Sequence, residues 1–194
     1  MKMKKILLLL SLVFTLAFNL AAEEGEWFAG KMPGTLINAS GKSIDTAQAL
    51  KGKIVAFYFS ASWCGPCRGF TPTLVKFYKQ VAKKKNVEIV FISSDKTEKD
   101  MKAYMKKMPW LAVPFNAQAR NAFKKEMQVR GIPTLIVFDE NGKIISKNAR
   151  WDVVILGNKA VDAWKSSDYT PKTYNDYKSK ASGKKSKSKK KNKR

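Results

Sequence analysis

The sequence predicts an α/β domain in which a central mixed β-sheet is flanked by helices on both faces. Two nearly continuous runs of β-branched and aromatic residues, at 54–59 and 87–92, are typical of strands buried on both sides. An amphipathic helical pattern follows the first run, and a hairpin signal lies near the end of the apolar part. Strand, helix, strand, helix and hairpin in this order favour one mixed sheet.

Length and composition fit one domain with two unusual ends. The chain has 194 residues, of which 44% are hydrophobic, an ordinary share for a globular protein. Ten Lys or Arg and no acidic residue lie between Lys178 and Arg194, so much of the net charge of +23 belongs to the tail. The absence of histidine excludes Cys-His pairs, Ser-His-Asp triads and His-bearing metal sites.

Residues 1–22 have the pattern of a secretory signal peptide. Three lysines precede a largely apolar run at 6–18, and Ala21 and Ala22 stand before an acidic pair. An uncleaved membrane anchor is the alternative, since a membrane span needs about 20 apolar residues. We expect cleavage near Ala22 and export to the bacterial periplasm or another extracytoplasmic space, which would place the cysteines outside the cytoplasm.

The domain itself is predicted to cover residues 34–167, after a lead-in at 23–33. A short hairpin is expected at 35–44 around a glycine turn, before the first buried strand. A helix is expected over 64–84, with Pro72 inside it as a kink. Its apolar face consists of residues spaced four, three and four apart, namely Phe70, Leu74, Phe77 and Val81.

The rest of the domain follows from shorter patterns. Thr97 is predicted to begin a helix, and two prolines in 108–115 indicate an apolar packed loop. Beyond the domain, residues 168–194 are predicted to be a disordered Lys-rich tail, because polar Lys/Ser/Gly/Asn sequence cannot offset the entropy of ordering. The predicted elements are helices at 97–107, 117–127 and 159–164 and a hairpin formed by 134–138 and 143–146.

The only two cysteines lie in the stretch Trp63-Cys64-Gly65-Pro66-Cys67, between the first buried strand and its helix. Unpaired backbone N–H groups and the helix dipole favour an anion there, so we expect a stabilised Cys64 thiolate. It would attack a substrate disulfide, and Cys67, one helical turn on, would resolve the mixed disulfide. A purely structural disulfide is the alternative, but a loop of about four residues removes little entropy from the unfolded chain. Two cysteines cannot complete a structural zinc site, so we expect no metal and no cofactor beyond the cysteine pair.

Three stretches of the sequence resemble the thioredoxin superfamily, and within it the tryparedoxin and nucleoredoxin branch. They are residues 57–72 around the two cysteines, the segment 107–115, and Gly131-Ile132-Pro133-Thr134. The resemblance covers roughly residues 34–164 and implies a thioredoxin-like fold. Gly65-Pro66 is the thioredoxin-type pair, which favours a reducing role. Tyr58 stands where thioredoxin buries an acid, so no proton acceptor for Cys67 is identified.

The resemblance also implies the remaining site residues. Pro133 would follow a cis peptide bond, and its loop would pack against the cysteines and offer Ile132 backbone groups to an extended substrate. Trp63 would be an exposed lid beside the nucleophile, with a core position as the alternative. Trp110 is either part of the substrate rim or a residue that closes the core. Together with Trp63, Gly65, Pro66, Ile132 and Pro133, Trp110 is therefore a candidate substrate-binding residue.

The sequence predicts an exported thiol-disulfide oxidoreductase that reduces protein disulfides, with disulfide-bearing proteins and an upstream thiol reductant as partners. The competing hypothesis is a module that binds an anionic surface or polyanion through the Lys-rich tail, with the domain as carrier. A nucleic-acid partner is not expected, because the tail beyond Lys178 has no aromatic residue to stack bases. We expect a monomer.

Overall fold

The computed structural model describes residues 27, 28 and 30–191. Its elements, in chain order, are β1 Thr35–Ile37, β2 Ser43–Asp45, α1 Thr46–Leu50, β3 Ile54–Ser60, α2 Gly65–Val81, β4 Val87–Ser93, α3 Glu98–Met105, β5 Leu111–Ala112, α4 Ala117–Glu126, β6 Thr134–Phe138, β7 Ile144–Ser146, α5 Arg150–Leu156, a 3-10 turn Gly157–Lys159, α6 Ala160–Trp164 and α7 Tyr174–Lys191. The predicted signal peptide, residues 1–22, lies outside the described residues.

The seven strands form one mixed sheet in the order β2-β1-β5-β4-β3-β6-β7. At its centre β3 runs parallel to β4 and antiparallel to β6. The parallel pair is joined by α2, as a crossover between parallel strands requires. The predicted mixed α/β sheet is confirmed, and the two inner strands are buried along their whole length.

Alternate residues of β3 enter two hydrophobic cores on opposite faces of the sheet, because side chains along a strand alternate with period two. Tyr58 belongs to the first core and Phe57 to the second. Helices α2, α3, α5 and α6 cover the first face, and α1 and α4 cover the second. Representative helix residues are Phe70, Met101, Val153 and Trp164 on the first face, and Leu50 and Phe123 on the second.

The predicted helix over 64–84 is observed as α2, which continues through Pro72. Cys64 is its N-cap and Pro66 lies in its first turn, where the missing proline N–H costs nothing. The predicted start of α3 is also confirmed, since the Thr97 hydroxyl accepts a hydrogen bond from the N–H of Asp100 at 3.1 Å.

The core begins earlier than the predicted boundary at residue 34. Phe28 is buried, and the ring of Trp27 stacks on that of Phe138 at 4.6 Å. Trp27 also covers the turn between β6 and β7. A Cβ on Gly142 would lie 2.3 Å from the Trp27 ring, and the positive φ of this residue, +81°, independently favours glycine. The segment predicted as a lead-in therefore contributes to the core.

The segment 108–115, predicted as a packed loop, contains the short strand β5. Residues Leu111 and Ala112 pair with β4, and Ala112 also pairs with β1. The two prolines flank this pair, so they shorten the strand without preventing it. The segment is thereby held inside the sheet.

Within the stretch 168–194, for which a disordered tail is predicted, residues 174–191 form helix α7. A cap begins this helix: the N–H and hydroxyl of Thr173 each donate to Asp176 at 2.7 Å. The rings of Tyr174 and Tyr177 each lie 5.2 Å from that of Trp151 on α5. The helix start is therefore fixed by long-range aromatic contacts that the polar composition conceals.

A buried carboxylate ties the preceding segment to α5, a helix that is not among the predicted elements. Asp152 is fully buried and accepts hydrogen bonds from Trp164 Nε1 at 3.2 Å, the Tyr169 hydroxyl at 2.6 Å and the Lys172 N–H at 2.8 Å. This network attaches the chain between α6 and α7 to the domain.

None of the helices described between residues 27 and 191 has the length and apolar character needed to cross a membrane.

Candidate active site

The two cysteines lie where β3 leads into α2, at the carboxyl end of the two parallel strands. They are joined by a disulfide, with Cα atoms 5.2 Å apart. The Cys67 N–H donates to Cys64 Sγ at 3.2 Å, a first-turn contact that would also stabilise a Cys64 thiolate. Cys64 is 6% exposed, whereas Cys67 is fully buried. A reacting sulfur from outside therefore reaches Cys64 first.

The Ile132-Pro133 loop lies against the disulfide, as predicted, and its peptide bond is cis. The carbonyl oxygen of Ile132 is 3.8 Å from Cys64 Sγ, and the Ile132 side chain packs on Ala61 and both cysteines. The pairing of β6 with β3 brings this loop to the site. Two stretches about 68 residues apart in sequence are thus joined in one surface.

Trp63 stands beside the disulfide with 58% of its surface exposed, and its indole N–H donates to the Ser94 carbonyl at 3.3 Å. Gly65 and Pro66 are also exposed. An exposed indole held by a hydrogen bond is suited to contact a partner through an apolar ring. The core position considered as the alternative for Trp63 is not observed.

Trp110, a candidate for the substrate rim, closes the core instead. It is 2% exposed and lies in the first core, with edge-on rings of Tyr58 at 6.1 Å and Tyr78 at 5.6 Å. Because β5 begins at the next residue and pairs inside the sheet, the indole is directed into the core. Trp110 therefore cannot contact a substrate at the disulfide.

A cluster of buried hydroxyls beneath Cys67 was not predicted. Thr71 Oγ1 donates to the Cys67 carbonyl at 2.9 Å, and the hydroxyls of Tyr58 and Tyr104 lie 2.9 and 2.6 Å from Thr71 Oγ1. Ser60 Oγ is 3.3 Å from the Tyr104 hydroxyl. The available signals were a tyrosine in an otherwise apolar strand and a threonine one helical turn after Cys67.

This cluster holds the first turn of α2 and does not supply a base. Burial raises the pKa of Tyr58 above its ordinary range, so its hydroxyl stays protonated and acts as a donor. Tyr58 therefore cannot accept the Cys67 proton at neutral pH. Its role is to fix the peptide that carries Cys67.

Within the described part of the chain, no group of three or more His, Cys, Asp or Glu side chains is placed to hold a metal ion.

Comparison with known proteins identifies the family. A family model described as thioredoxin-like matches residues 52–144. Tryparedoxin of Trypanosoma brucei brucei is 45% identical over 127 residues, which cover 63% of this chain and 87% of that protein. The chain belongs to the thioredoxin-like family. A solved structure of tryparedoxin from Trypanosoma brucei superposes on this thioredoxin-like protein with a TM-score of 0.65 at 40% identity, covering 72% of this chain and 98% of that one.

Nucleoredoxins are a second group of thioredoxin-like relatives. Probable nucleoredoxin 1 of Arabidopsis thaliana is 38% identical over 144 residues, 74% of this chain and 24% of that protein. Human nucleoredoxin is 39% identical over 129 residues, 66% of this chain and 29% of that protein. The chain therefore spans less than a third of the length of these nucleoredoxins. It is a thioredoxin-like redox protein with the Cys64–Cys67 pair in place.

Proposed function

We propose that this protein is an exported thiol-disulfide oxidoreductase that reduces protein disulfides. The observation that carries the proposal is the Cys64–Cys67 pair at the start of α2, with the Ile132 carbonyl 3.8 Å from Cys64 Sγ. The exposed indole of Trp63 and the exposed Gly65-Pro66 turn supply a surface for the substrate chain.

The order of the two reactions follows from burial. In the reduced protein the Cys64 thiolate attacks one sulfur of a substrate disulfide, forming a mixed disulfide and releasing the other substrate sulfur as a thiolate, which takes up a proton. Cys67, after losing its proton, attacks Cys64 Sγ, which releases the second substrate thiolate and forms the Cys64–Cys67 disulfide. Two electrons pass to the substrate, and an upstream thiol reductant restores the dithiol.

The substrate chain is expected to lie along the Ile132-Pro133 loop. The loop lies at the edge of the site and leads into Thr134, the first residue of β6. An extended substrate segment could therefore pair with it through main-chain hydrogen bonds. Trp63 would cover the other side of the substrate disulfide. These contacts explain why an apolar ring is left in solvent.

The test uses the two single-cysteine variants. With dithiothreitol as electron source, the wild type should reduce insulin disulfides faster than dithiothreitol alone, and Cys64→Ser should lower the rate to that of dithiothreitol alone. In a separate reaction without dithiothreitol, reduced Cys67→Ser should trap a mixed disulfide with insulin, which a non-reducing gel detects and which later addition of dithiothreitol releases. Activity that survives Cys64→Ser would contradict the mechanism.

The direction of the reaction is tested by the reduction potential of the cysteine pair against glutathione. Related pairs range from about −270 mV for thioredoxin to about −120 mV for a strong periplasmic oxidant. We expect a value at the reducing end. A value near −120 mV would make the protein an oxidant and overturn the reductase assignment.

Export is proposed from residues 1–22 alone. Cell fractionation followed by N-terminal sequencing should find a mature chain that begins near residue 23 outside the cytoplasm. Recovery of the full-length chain in the cytoplasm would contradict export, and a full-length chain in the membrane would indicate the uncleaved anchor.

A second proposed function is adhesion to an anionic surface through α7. The Asp152 network and the Trp151–Tyr174 contact attach the start of this basic helix to the domain. Retention on phosphatidylserine vesicles should fall steeply with salt and be lost when residues 178–194 are removed. Unchanged retention of the truncated protein would contradict this function.

A further inference from the structure

The turn that follows β4 binds the end of β3 and the loop that precedes Cys64 at three points. The Ser94 N–H donates to the Ser60 carbonyl at 2.8 Å. The carboxylate oxygen Oδ1 of Asp95 accepts hydrogen bonds from the N–H of Ser62 at 2.8 Å and from its hydroxyl at 2.7 Å. The indole of Trp63 then donates to the Ser94 carbonyl. These hydrogen bonds therefore hold the loop that precedes Cys64 against the end of β4.

Asp95 is the central group of this hydrogen-bond network. Its side chain is 4% exposed, and its second oxygen, Oδ2, accepts a hydrogen bond from Ser93 Oγ at 2.8 Å. A carboxylate at this depth is tolerated only when its oxygens are occupied by donors. Two of its three donors come from Ser62, so much of its hydrogen bonding goes to the active-site loop.

Arg120 holds the turn from the opposite side. Its Nη1 donates to the carbonyls of Ser93 at 2.7 Å and Asp95 at 3.3 Å, and its guanidinium lies 4.0 Å above the ring of Phe115. The residue is buried although it sits on α4, a surface helix. A cation here also offsets the negative charge of Asp95, because the two groups interact in a poorly solvated site.

We propose that Asp95, supported by Arg120, is a positioning residue that fixes residues 61–63 so that Trp63 stands exposed beside Cys64 for a protein substrate. Asp95 touches neither sulfur, and it acts through Ser62 and the turn that binds the indole. The inference rests on the proposed reduction of protein disulfides. It assigns Asp95 to substrate recognition and leaves the sulfur chemistry to the cysteines.

The experiment compares Asp95→Ala with Asp95→Asn and with Glu88→Ala. In Asp95→Asn the amide oxygen can still accept both bonds from Ser62. Glu88 is the matched control, because it is the buried carboxylate at the other end of β4. Three experiments are made: steady-state kinetics of insulin reduction, which give kcat and KM, the alkylation rate of reduced Cys64 by iodoacetamide, and hydrogen exchange of the Trp63 indole N–H by NMR.

Asp95→Ala should raise KM for insulin about tenfold, with a smaller change in kcat, because a displaced recognition group weakens binding. Its Trp63 indole N–H should exchange faster, while iodoacetamide alkylation should change less than insulin reduction. Asp95→Asn should restore most of the KM and the indole protection. Glu88→Ala should lower stability without changing KM or indole exchange.

Equal changes in KM for Asp95→Ala and Glu88→Ala would overturn the proposal, since general destabilisation would explain both. So would unchanged indole exchange in Asp95→Ala. Should that variant fail to fold, Ser62→Ala removes one of the same bonds from the other side and should produce a smaller rise in KM. If the wild type does not reduce insulin at all, the proposed function fails, while indole exchange still tests the placement of Trp63.

Discussion

The two ends of β4 each hold a buried carboxylate, Glu88 near the start of the strand and Asp95 just beyond its end. Glu88 accepts hydrogen bonds from the Tyr78 hydroxyl at 2.8 Å and the Ile89 N–H at 3.1 Å, and its other oxygen lies 3.6 Å from Lys53 Nζ. Tyr78 belongs to α2, and Lys53 and Ile89 lie near the start of the two parallel strands, at the end of the sheet remote from the cysteines. Removing Glu88 is therefore expected to affect stability alone.

Asp95 is similarly buried, but it is bound to different structures. Its partners are the loop before Cys64 and its own turn, which Arg120 supports. Burying a carboxylate is costly at either end of the strand, so each position needs a compensating set of donors. The difference between the ends shows that the same kind of network can hold either a fold or a site. Variants at the two ends of β4 can separate these two uses.

The largest expected effect belongs to Arg120→Met, which keeps the apolar contact with Phe115 and removes the guanidinium. The carbonyls of Ser93 and Asp95 lose a charged donor in a buried place, so the free energy of unfolding should fall by about 3 kcal/mol. Urea denaturation measures this loss. Lys125→Met is the control, because this exposed residue of the same helix should change stability by at most about 0.5 kcal/mol.

Arg120→Met should also raise KM for insulin, because the turn that holds Trp63 loses its support. A loss of stability no larger than that of Lys125→Met would mean that Arg120 does not hold the turn. A large loss of stability without a change in KM would place Arg120 with Glu88 among the residues that serve the fold alone.

The next effect is a pH dependence at the Glu88 end. Burial raises the pKa of Glu88 above its ordinary value of 4.5, although the Tyr78 hydroxyl and Lys53 oppose the shift. A raised pKa in the folded state means that the fold favours protonated Glu88. That contribution is complete below pH 4.5 and is lost as pH rises through the folded-state pKa.

Glu88→Gln should remove this dependence, because a neutral amide can keep the bond from Tyr78 without the cost of a buried charge. Relative to the wild type, the variant should therefore become more stable as the pH rises from 4 to 7. Urea denaturation at several pH values measures the difference. Parallel profiles for the two proteins would show that Glu88 does not titrate differently on folding.

Local sequence patterns predict the parts of the molecule that depend on neighbouring residues. The apolar runs give β3 and β4, the four-three-four spacing gives α2, and the glycine turn gives the hairpin of β6 and β7. The position of the cysteine pair follows from the same elements. The cis peptide before Pro133 follows from family resemblance and is confirmed, although composition and spacing do not indicate it.

Contacts between distant segments explain what sequence patterns cannot predict. Trp110 lies in an apolar segment that suits a rim or a core, and only the pairing of β5 decides between them. Helix α5 has no side-chain cap, and the start of α7 depends on Trp151 and Asp152. Asp95 is one acid in a polar turn, so nothing in the sequence distinguishes it from a solvated residue.

The smallest predicted effect concerns Lys53, the partly exposed cation beside Glu88. Its side chain is 29% exposed and its Nζ lies 3.6 Å from the carboxylate, so Lys53→Met should lower stability at pH 7 by no more than about 1 kcal/mol. Because Lys53 opposes the rise in the pKa of Glu88, its loss should raise that pKa further. The loss should therefore shrink at pH 4, where Glu88 is protonated with or without Lys53, and in 1 M NaCl, which screens the pair.

Urea denaturation of Lys53→Met tests this, with Lys51→Met, an exposed neighbour, as the control. An equal loss of stability at both pH values would mean that Lys53 stabilises the fold by packing and not through its charge interaction with Glu88.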